Sequence, residues 1–430
     1  MKVYHYRSIE SALSEIKCGT FRFSGPKELN DPLEGYIEFY WQGDRTTWEG
    51  LFKNYVCSLY NCLNLWLMGM SKEKVLKNVV IDDIHYMKDK KAARIYKIIG
   101  ERFIQEEVVQ ECIKMLINEY SGEVKCTSRS LSLWMTLMNF LAYNICVYSL
   151  HEANPLALKE LEPIDGDALN SASDIFKEID QEWTEDQLQW FLNDLNDTIK
   201  AREIIKYQET KDLDKDRKEL LDILSSDFGS IYVDQLKDII YPRGLVVCFS
   251  ERSDNSVMWG NYADKHRGVC LIYDLALNAQ KDTIELISNI NGYPIVACAG
   301  SVEYEDRHLQ MNFFTPLERY DFKKRYFVKM KEWKYEKEYR LLIGDTFVNY
   351  DEERFLRYSS NALKGVIFGI KTSKEDIYAI LEALHETIPD LASVKLYFAI
   401  YDELARSIRI KETHLLERFL QNADNFNLNS

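Results

Sequence analysis

Residues 244–274, GLVVCFSERSDNSVMWGNYADKHRGVCLIYD, decide how the fold reads. Gly244–Ser250 and Val269–Asp274 are continuous apolar runs of strand length. Between them, Ser256–His266 has helical spacing, and Gly268 stands where a C-terminal helix cap is expected. Strand, helix and strand in 31 residues predict a mixed α+β fold.

The same texture continues outward. Downstream, Trp333–Ile343 alternates as a strand and Val366–Gly369 is a short apolar one. Ser373–Ile388 reads as a helix capped by Ser373, with Glu375 and Asp376 in its first turn. Leu415–Ser430 reads as a last helix with a polar tail. At the N-terminal end Val3–Tyr6 is strand-like. Ser8–Lys17 is a short amphipathic helix carrying Ile9, Leu13 and Ile16 on one face, stopped by Gly19. Phe21-Arg22-Phe23 alternates again, and Gly25-Pro26 and Asn30-Asp31-Pro32 carry turn chemistry.

The middle of the chain differs. Residues 46–235 hold eight Gly plus Pro, against eighteen in the other 240 residues. Thr184 and Gln187 fit a capping box, followed by Leu188, Phe191, Leu192, Leu195 and Ile199 at helical spacing. Lys211–Glu219 is a mixed-charge run that suits a solvated helix face. The expected organisation is therefore a discontinuous α+β domain (1–45 and 240–410), an all-helical insertion (46–235), and a C-terminal helix and tail (411–430).

Composition narrows the function classes. The 430 residues are 46% hydrophobic and 29% charged, a globular balance. A net charge of −15 argues against a broadly basic nucleic-acid binder. Nine scattered cysteines, an odd count with no CxxC pair, argue against a zinc site or a disulfide framework. The expectation is a reduced, cytoplasmic protein. Residues 130–150 and 55–71 carry no formal charge, but Asn139, Asn144, Asn61 and Asn64 lie inside them. Those amides favour buried core helices over membrane spans. The chain has no GxGxxG, GxxxxGK[ST], GxSxG or HExxH motif, which weakens dehydrogenase, nucleotide triphosphatase, α/β-hydrolase and zincin readings.

Three clusters can carry chemistry. The first joins Tyr4-His5-Tyr6-Arg7 with Glu28–Pro32, including Asn30 and Asp31. The second runs from Cys248 and Ser250 to Trp259, Tyr262 and His266. The third is Lys331–Arg340, where a strand would set Glu336, Glu338 and Arg340 on one side and Tyr335, Tyr339 and Leu341 on the other. A carboxylate beside a guanidinium suits orienting a sugar hydroxyl or holding an anion. Each cluster also has a plainer reading. An exposed ion-pair ladder explains the third, and core anchors explain Trp259 and Tyr262. Helix-end stabilisation explains His266, a turn explains Asn30-Asp31-Pro32, and core packing explains His5.

In this order the clusters resemble a bacterial family known only as domain of unknown function 2971. The matching stretches are Tyr4–Arg7, Leu29–Glu34, Cys248–Glu251, Met258-Trp259, Tyr262-Ala263, His266–Gly268 and Trp333–Arg340. Val302-Glu303-Tyr304 and Val366–Gly369 look like strands of the same family, so the resemblance covers roughly 1–40 and 240–375. The order of parts is similar to an ADP-ribosyltransferase-type fold, which implies a split mixed sheet and NAD as substrate, without a metal. The resemblance implies that His5 holds the adenosine-side ribose, Tyr262 (or Trp259) faces the nicotinamide, and Glu338 acts at the sugar. Arg7 or Arg340 would meet the pyrophosphate. Tyr4, Asn30, Asp31, Ser250, His266 and Glu336 complete the expected binding set. The leading expectation is an NAD-consuming transferase or glycohydrolase, in a bacterial defence or toxin setting, acting on an unknown protein or nucleic-acid acceptor or on water. The alternative is a non-enzymatic sensor or interaction module whose helical insertion binds a partner or a second copy. A nuclease or other hydrolase ranks last, because too few carboxylates cluster in the motifs to hold two metals.

Overall fold

The computed structural model describes residues 1–77, 79–81, 90–117, 125–153, 157–164, 186–187, 190, 214–240, 244–278, 280–315, 323–344, 351–416 and 419. Sixteen strands are defined among them. In chain order they are β1 (Lys2–Arg7), β2 (Thr20–Arg22), β3 (Ile37–Trp41), β4 (Cys126–Thr127), β5 (Gly244–Ser250) and β6 (Val269–Asp274). Then come β7 (Thr283–Ser288), β8 (Pro294–Ser301), β9 (Glu303–Glu305), β10 (Leu309–Asn312) and β11 (Val328–Met330). The last five are β12 (Glu338–Gly344), β13 (Phe355–Arg357), β14 (Leu363–Phe368), β15 (Lys395–Asp402) and β16 (Ser407–Thr413).

The chain divides into two units. One comprises Met1–Ile37, Pro242–Leu309 and Asp321–Ser430, the other Glu38–Tyr241 and Gln310–Tyr320. The first unit is a mixed α+β body built on one eleven-stranded sheet, ordered β16-β15-β14-β6-β1-β5-β12-β8-β7-β13-β2. Its pairs are antiparallel except β14 with β15. Side-chain alternation decides its two faces. Val3, Leu271, Tyr273, Tyr339, Leu341, Val366 and Phe368 point to one core, closed by Ala12 and Ile16 of helix Ile9–Cys18 and by Ile380 and Leu384 of helix Lys374–Thr387. Tyr6, Cys270, Ile272 and Ile367 point the other way, against Met258 and Trp259 of helix Ser256–Tyr262.

The first helix ends as its sequence predicts, at Gly19 in the left-handed region with φ 62°. The segment after Val257 does not. Its helix stops at Tyr262, and Asp264, Lys265 and His266 follow with φ of 42°, 54° and 71°. Gly268 is thus no helix cap: a Cβ there would lie 2.1 Å from the Arg7 carbonyl oxygen, so close backbone approach requires the glycine. Trp333–Ile343 is also not one strand. Lys331–Glu336 forms a 3-10 turn, Lys337 takes φ 46°, and the strand begins at Glu338. The hairpin β15–β16 had no clear signal in the sequence and runs past the expected 410 boundary to Thr413. Of the expected last helix, Leu415–Ser430, most lies outside the described residues.

The second unit is mainly helical: Arg45–Leu67, Lys90–Gln105, Glu107–Ile117, Ser128–Ala153, Lys215–Asp222 and Phe228–Ile240 are its larger helices. It is not all-helical, since β4 pairs with β3 in a three-stranded sheet completed by β10. Of the capping box and helix drawn from Thr184 through Ile199, all but residues 186, 187 and 190 lie outside the described residues, as does the start of the Lys211 run. Ser128–Ala153 is long and apolar enough to cross a membrane, but 83% of its most apolar window is buried in the protein. Its amides are satisfied there. Tyr55 donates to Asn139 Oδ1 at 2.6 Å, and Asn144 exchanges hydrogen bonds of 2.8 and 2.7 Å with the Ile164 backbone. All nine cysteines are free.

Candidate functional site

The first unit's sheet opens at its centre. β1 registers with β5 at one position, Tyr4 opposite Ser250, and farther along β5 the partner of Val246 is Ser24. A cleft of about 270 Å³ occupies this region, lined by Tyr4–Arg7 of β1 and Val246–Ser250 of β5. Strands that part this way leave backbone and side chains of both sheet faces accessible from one opening.

On the β12 side the cleft is floored by a buried ion network. Glu338 and Arg340 share a face of β12, and the Arg340 Nε donates to Glu338 Oε2 at 2.5 Å. Arg340 Nη1 donates to Glu34 Oε1 and to the Tyr326 carbonyl, both at 2.7 Å. Lys329, on β11, donates to Glu336 Oε2 at 2.6 Å and to Glu338 Oε1 at 2.8 Å, with Glu34 Oε2 at 3.5 Å. Because Lys337 turns the backbone left-handed, Glu336 folds back onto this cluster instead of continuing the strand face. Its Oε1 accepts from the Tyr262 hydroxyl at 2.5 Å.

The two glutamates are driven apart in acidity. Burial opposes the charge on Glu338, yet Arg340, a hydrogen bond from Glu336, and Lys329 hold its carboxyl far below the usual range. Burial, reinforced by Glu338, pushes Glu336 up to about 7. Lys329 stays charged, since Glu338, Glu34 and Glu336 outweigh the cost of burying it. Burial and the Glu336 carboxyl raise the Tyr262 phenol well above its ordinary value. Two neighbouring carboxyls with opposed shifts, one of them lining the cleft, are a recurrent mark of acid–base chemistry.

On the β1 side His5 is buried between Phe249 and Phe21, with ring centroids 4.8 and 6.4 Å away. Its Nδ1 lies 3.0 Å from Glu15 Oε1. Glu15 also accepts from Tyr273 at 2.7 Å and from Arg7 Nε at 2.9 Å. Burial and the Arg7 charge lower the His5 pKa, so the ring is neutral near pH 7. Burial works against ionised Glu15, but His5 and Arg7 hold it at about 2.

Of the residues singled out in the sequence, His5, Tyr262, Glu338, Tyr4, Arg7, Asn30, Ser250 and Arg340 line this one cleft. Asn30 reaches the Tyr262 hydroxyl. Ser250 donates to the Glu336 carbonyl at 2.6 Å, which ties the 3-10 turn to the end of β5. Four others do not line it. Glu336 is fully buried behind Tyr262. Asp31 caps its own turn, accepting from the Leu33 amide at 2.9 Å. Trp259 is a core anchor, fully buried and edge-on to Tyr6 at 5.2 Å. His266 stacks on Trp259 from the left-handed turn.

Lys329, Glu15 and Tyr273 escaped the sequence reading. Lys329 sits on a three-residue strand, and Glu15 on an amphipathic helix where a glutamate reads as exposed. Glu34 lay inside the quoted Leu29–Glu34 stretch and was the one with a legible signal. Among the described residues no group of three or more His, Cys, Asp or Glu is arranged to hold a metal ion.

No curated protein and no solved structure matches the chain significantly. One family model, described as "Protein of unknown function (DUF2971)", matches residues 258–341. It takes in Met258–Gly268 and Trp333–Arg340 but leaves Tyr4–Arg7, Leu29–Glu34, Cys248–Glu251 and Val366–Gly369 outside, so the resemblance does not extend to both ends as expected.

Proposed function

We propose that the first unit binds a nicotinamide dinucleotide and breaks its nicotinamide–ribose bond, passing the ribosyl group to water or to an acceptor. One observation carries this reading: an ionised Glu338, an aromatic Tyr262 and the cationic Arg7 and Arg340 border a single cleft in a parted sheet. Bond cleavage puts positive charge on the sugar, as in glycoside hydrolysis. In this reading Glu338 binds a ribose hydroxyl and offsets that charge, an effect of about 3–4 kcal/mol for a preorganised group. Tyr262 flanks the departing ring, and Arg7 meets a phosphate. The parting of β1 from β5 beside a glutamate on the next strand also supports the likeness to ADP-ribosyltransferase-type folds, which remains an analogy of arrangement.

A second reading has its own support. Both Glu338 oxygens already carry partners, Lys329 and Arg340, which suits a structural ion network in a non-enzymatic interaction module. Incubation with NAD labelled in the nicotinamide ring separates the two. The enzyme reading expects release of free nicotinamide that falls at least 100-fold in Glu338→Gln. Equal release from both proteins, or none from either with cell extract supplied as acceptor, overturns it.

A further inference from the structure

The resemblance gives His5 a ribose-holding role, but its bonding points elsewhere. Nδ1 is engaged by Glu15 at 3.0 Å, and Glu15 is itself fixed by Tyr273 and by Arg7. An ionised carboxylate at Nδ1 selects the tautomer with the proton on that nitrogen, which leaves the Nε2 lone pair free. Nδ1 is the ring nitrogen that carries the bond to a described residue, and His5 is among the residues that line the cleft. A buried carboxylate, an oriented imidazole and an open cleft are the parts of a general base.

We propose that His5 Nε2 is the base that deprotonates the incoming nucleophile, water or an acceptor hydroxyl, and that Glu15 is its positioning residue. With water, the step rests on the glycosidic-cleavage reading and balances simply. The water proton passes to Nε2 and the oxygen bonds to the ribose C1′. The C1′–N bond breaks with its electron pair going to the pyridine nitrogen, so nicotinamide leaves neutral. His5 then returns the proton to solvent. Glu15 keeps its charge throughout and stabilises the transient imidazolium.

The groups around the ring agree. Arg7 on β1 and burial favour the neutral base, Glu15 from helix Ile9–Cys18 favours the cation, and the hydroxyl of Tyr273 on β6 is spent on Glu15. Phe21 of β2 and Phe249 of β5 contribute no charge.

Diethyl pyrocarbonate, which acylates neutral imidazole nitrogens, tests this without needing turnover. His5 should be acylated with a pH midpoint below 6.5, and ADP-ribose at millimolar concentration should slow the reaction at least threefold. In Glu15→Gln the midpoint should move lower. In Tyr273→Phe, the milder variant, it should move in the opposite sense or stay put while the protein remains folded. An unreactive His5 beside reactive surface histidines overturns the proposal, as does an unshifted midpoint in folded Glu15→Gln. Nicotinamide release is scored separately: reactive, Glu15-dependent His5 with no release sinks the substrate reading and supports the base. Where release occurs, Glu15→Gln should lower kcat at least tenfold with KM changed less than threefold, and equal kcat counts against the base.

Discussion

Glu336 and Glu338 meet on one ammonium: Lys329 Nζ lies 2.6 Å from the first and 2.8 Å from the second. All three side chains are buried, so the cation is what lets two acids occupy neighbouring positions.

Removing that cation should therefore be costly. Lys329→Met leaves Glu338 with Arg340 alone and Glu336 without a counter-charge. The expected loss is about 3–5 kcal/mol in urea denaturation at pH 7, typical of breaking a buried pair from one side. A loss below about 1 kcal/mol would show that the network contributes little.

Glu336 should leave a signature at neutral pH. Its folded-state value of about 7 lies above the ordinary 4.5, so its contribution is full below pH 4.5 and is lost as pH rises through 7. The size is on the order of 2–3 kcal/mol. Glu336→Gln, neutral at every pH, should lack this decline. Thermal melts from pH 5 to 8 should show wild type losing ground to the variant, and parallel curves would contradict the assignment.

Glu15 should act in the opposite direction. Held at about 2 against an ordinary 4.5, it stabilises the fold above pH 4.5 and loses that contribution as pH falls towards 2. His5, lowered from 6.5, also costs stability as pH falls below that value. Wild type should thus weaken steadily on acidification, while the gap between wild type and Glu15→Gln narrows between pH 4.5 and 3. Urea midpoints at pH 7, 4.5 and 3 measure that gap.

Two nearby glycines should behave oppositely. Gly268→Ala puts a methyl 2.1 Å from the Arg7 carbonyl oxygen, a backbone atom, and should cost about 3 kcal/mol or more. Gly260→Ala meets nothing within 4 Å in helix Ser256–Tyr262 and should gain up to about 1 kcal/mol. Thermal melts of the two variants settle both.

How far the sequence could be read follows from which rule governed each residue. β5 and β6 were legible because strands with two covered faces are apolar throughout. The paired roles of Glu338 and Arg340 were legible because strand alternation puts them together. Glu336 was placed on that face by the same rule, and the rule failed because Lys337 adopts φ 46°, a choice its side chain does not announce. Lys329 was invisible for another reason: Glu336 and Glu338 are near it in sequence, but only the turn between them brings those charges together, and Glu34 joins them by tertiary packing. Glu15 belongs with β1 and β6 by tertiary packing alone, and no local pattern marks it.

The division of the first unit across the chain sets an order in time. β1 lies near residue 5, but its partners β5 and β6 are not synthesised until residues 250 and 274 have been added. At ribosomal speeds of roughly 5–20 residues per second, β1 waits for tens of seconds or about a dozen at the fastest. During that interval the second unit has its helices up to Ile240 but still lacks Gln310–Tyr320, while Val3, Tyr4 and Tyr6 stay without a sheet. Closing so long a loop costs little free energy at equilibrium but delays assembly. Nascent chains stalled before residue 274 should accordingly leave β1 exposed to proteases and to chaperones that grasp short aromatic strands.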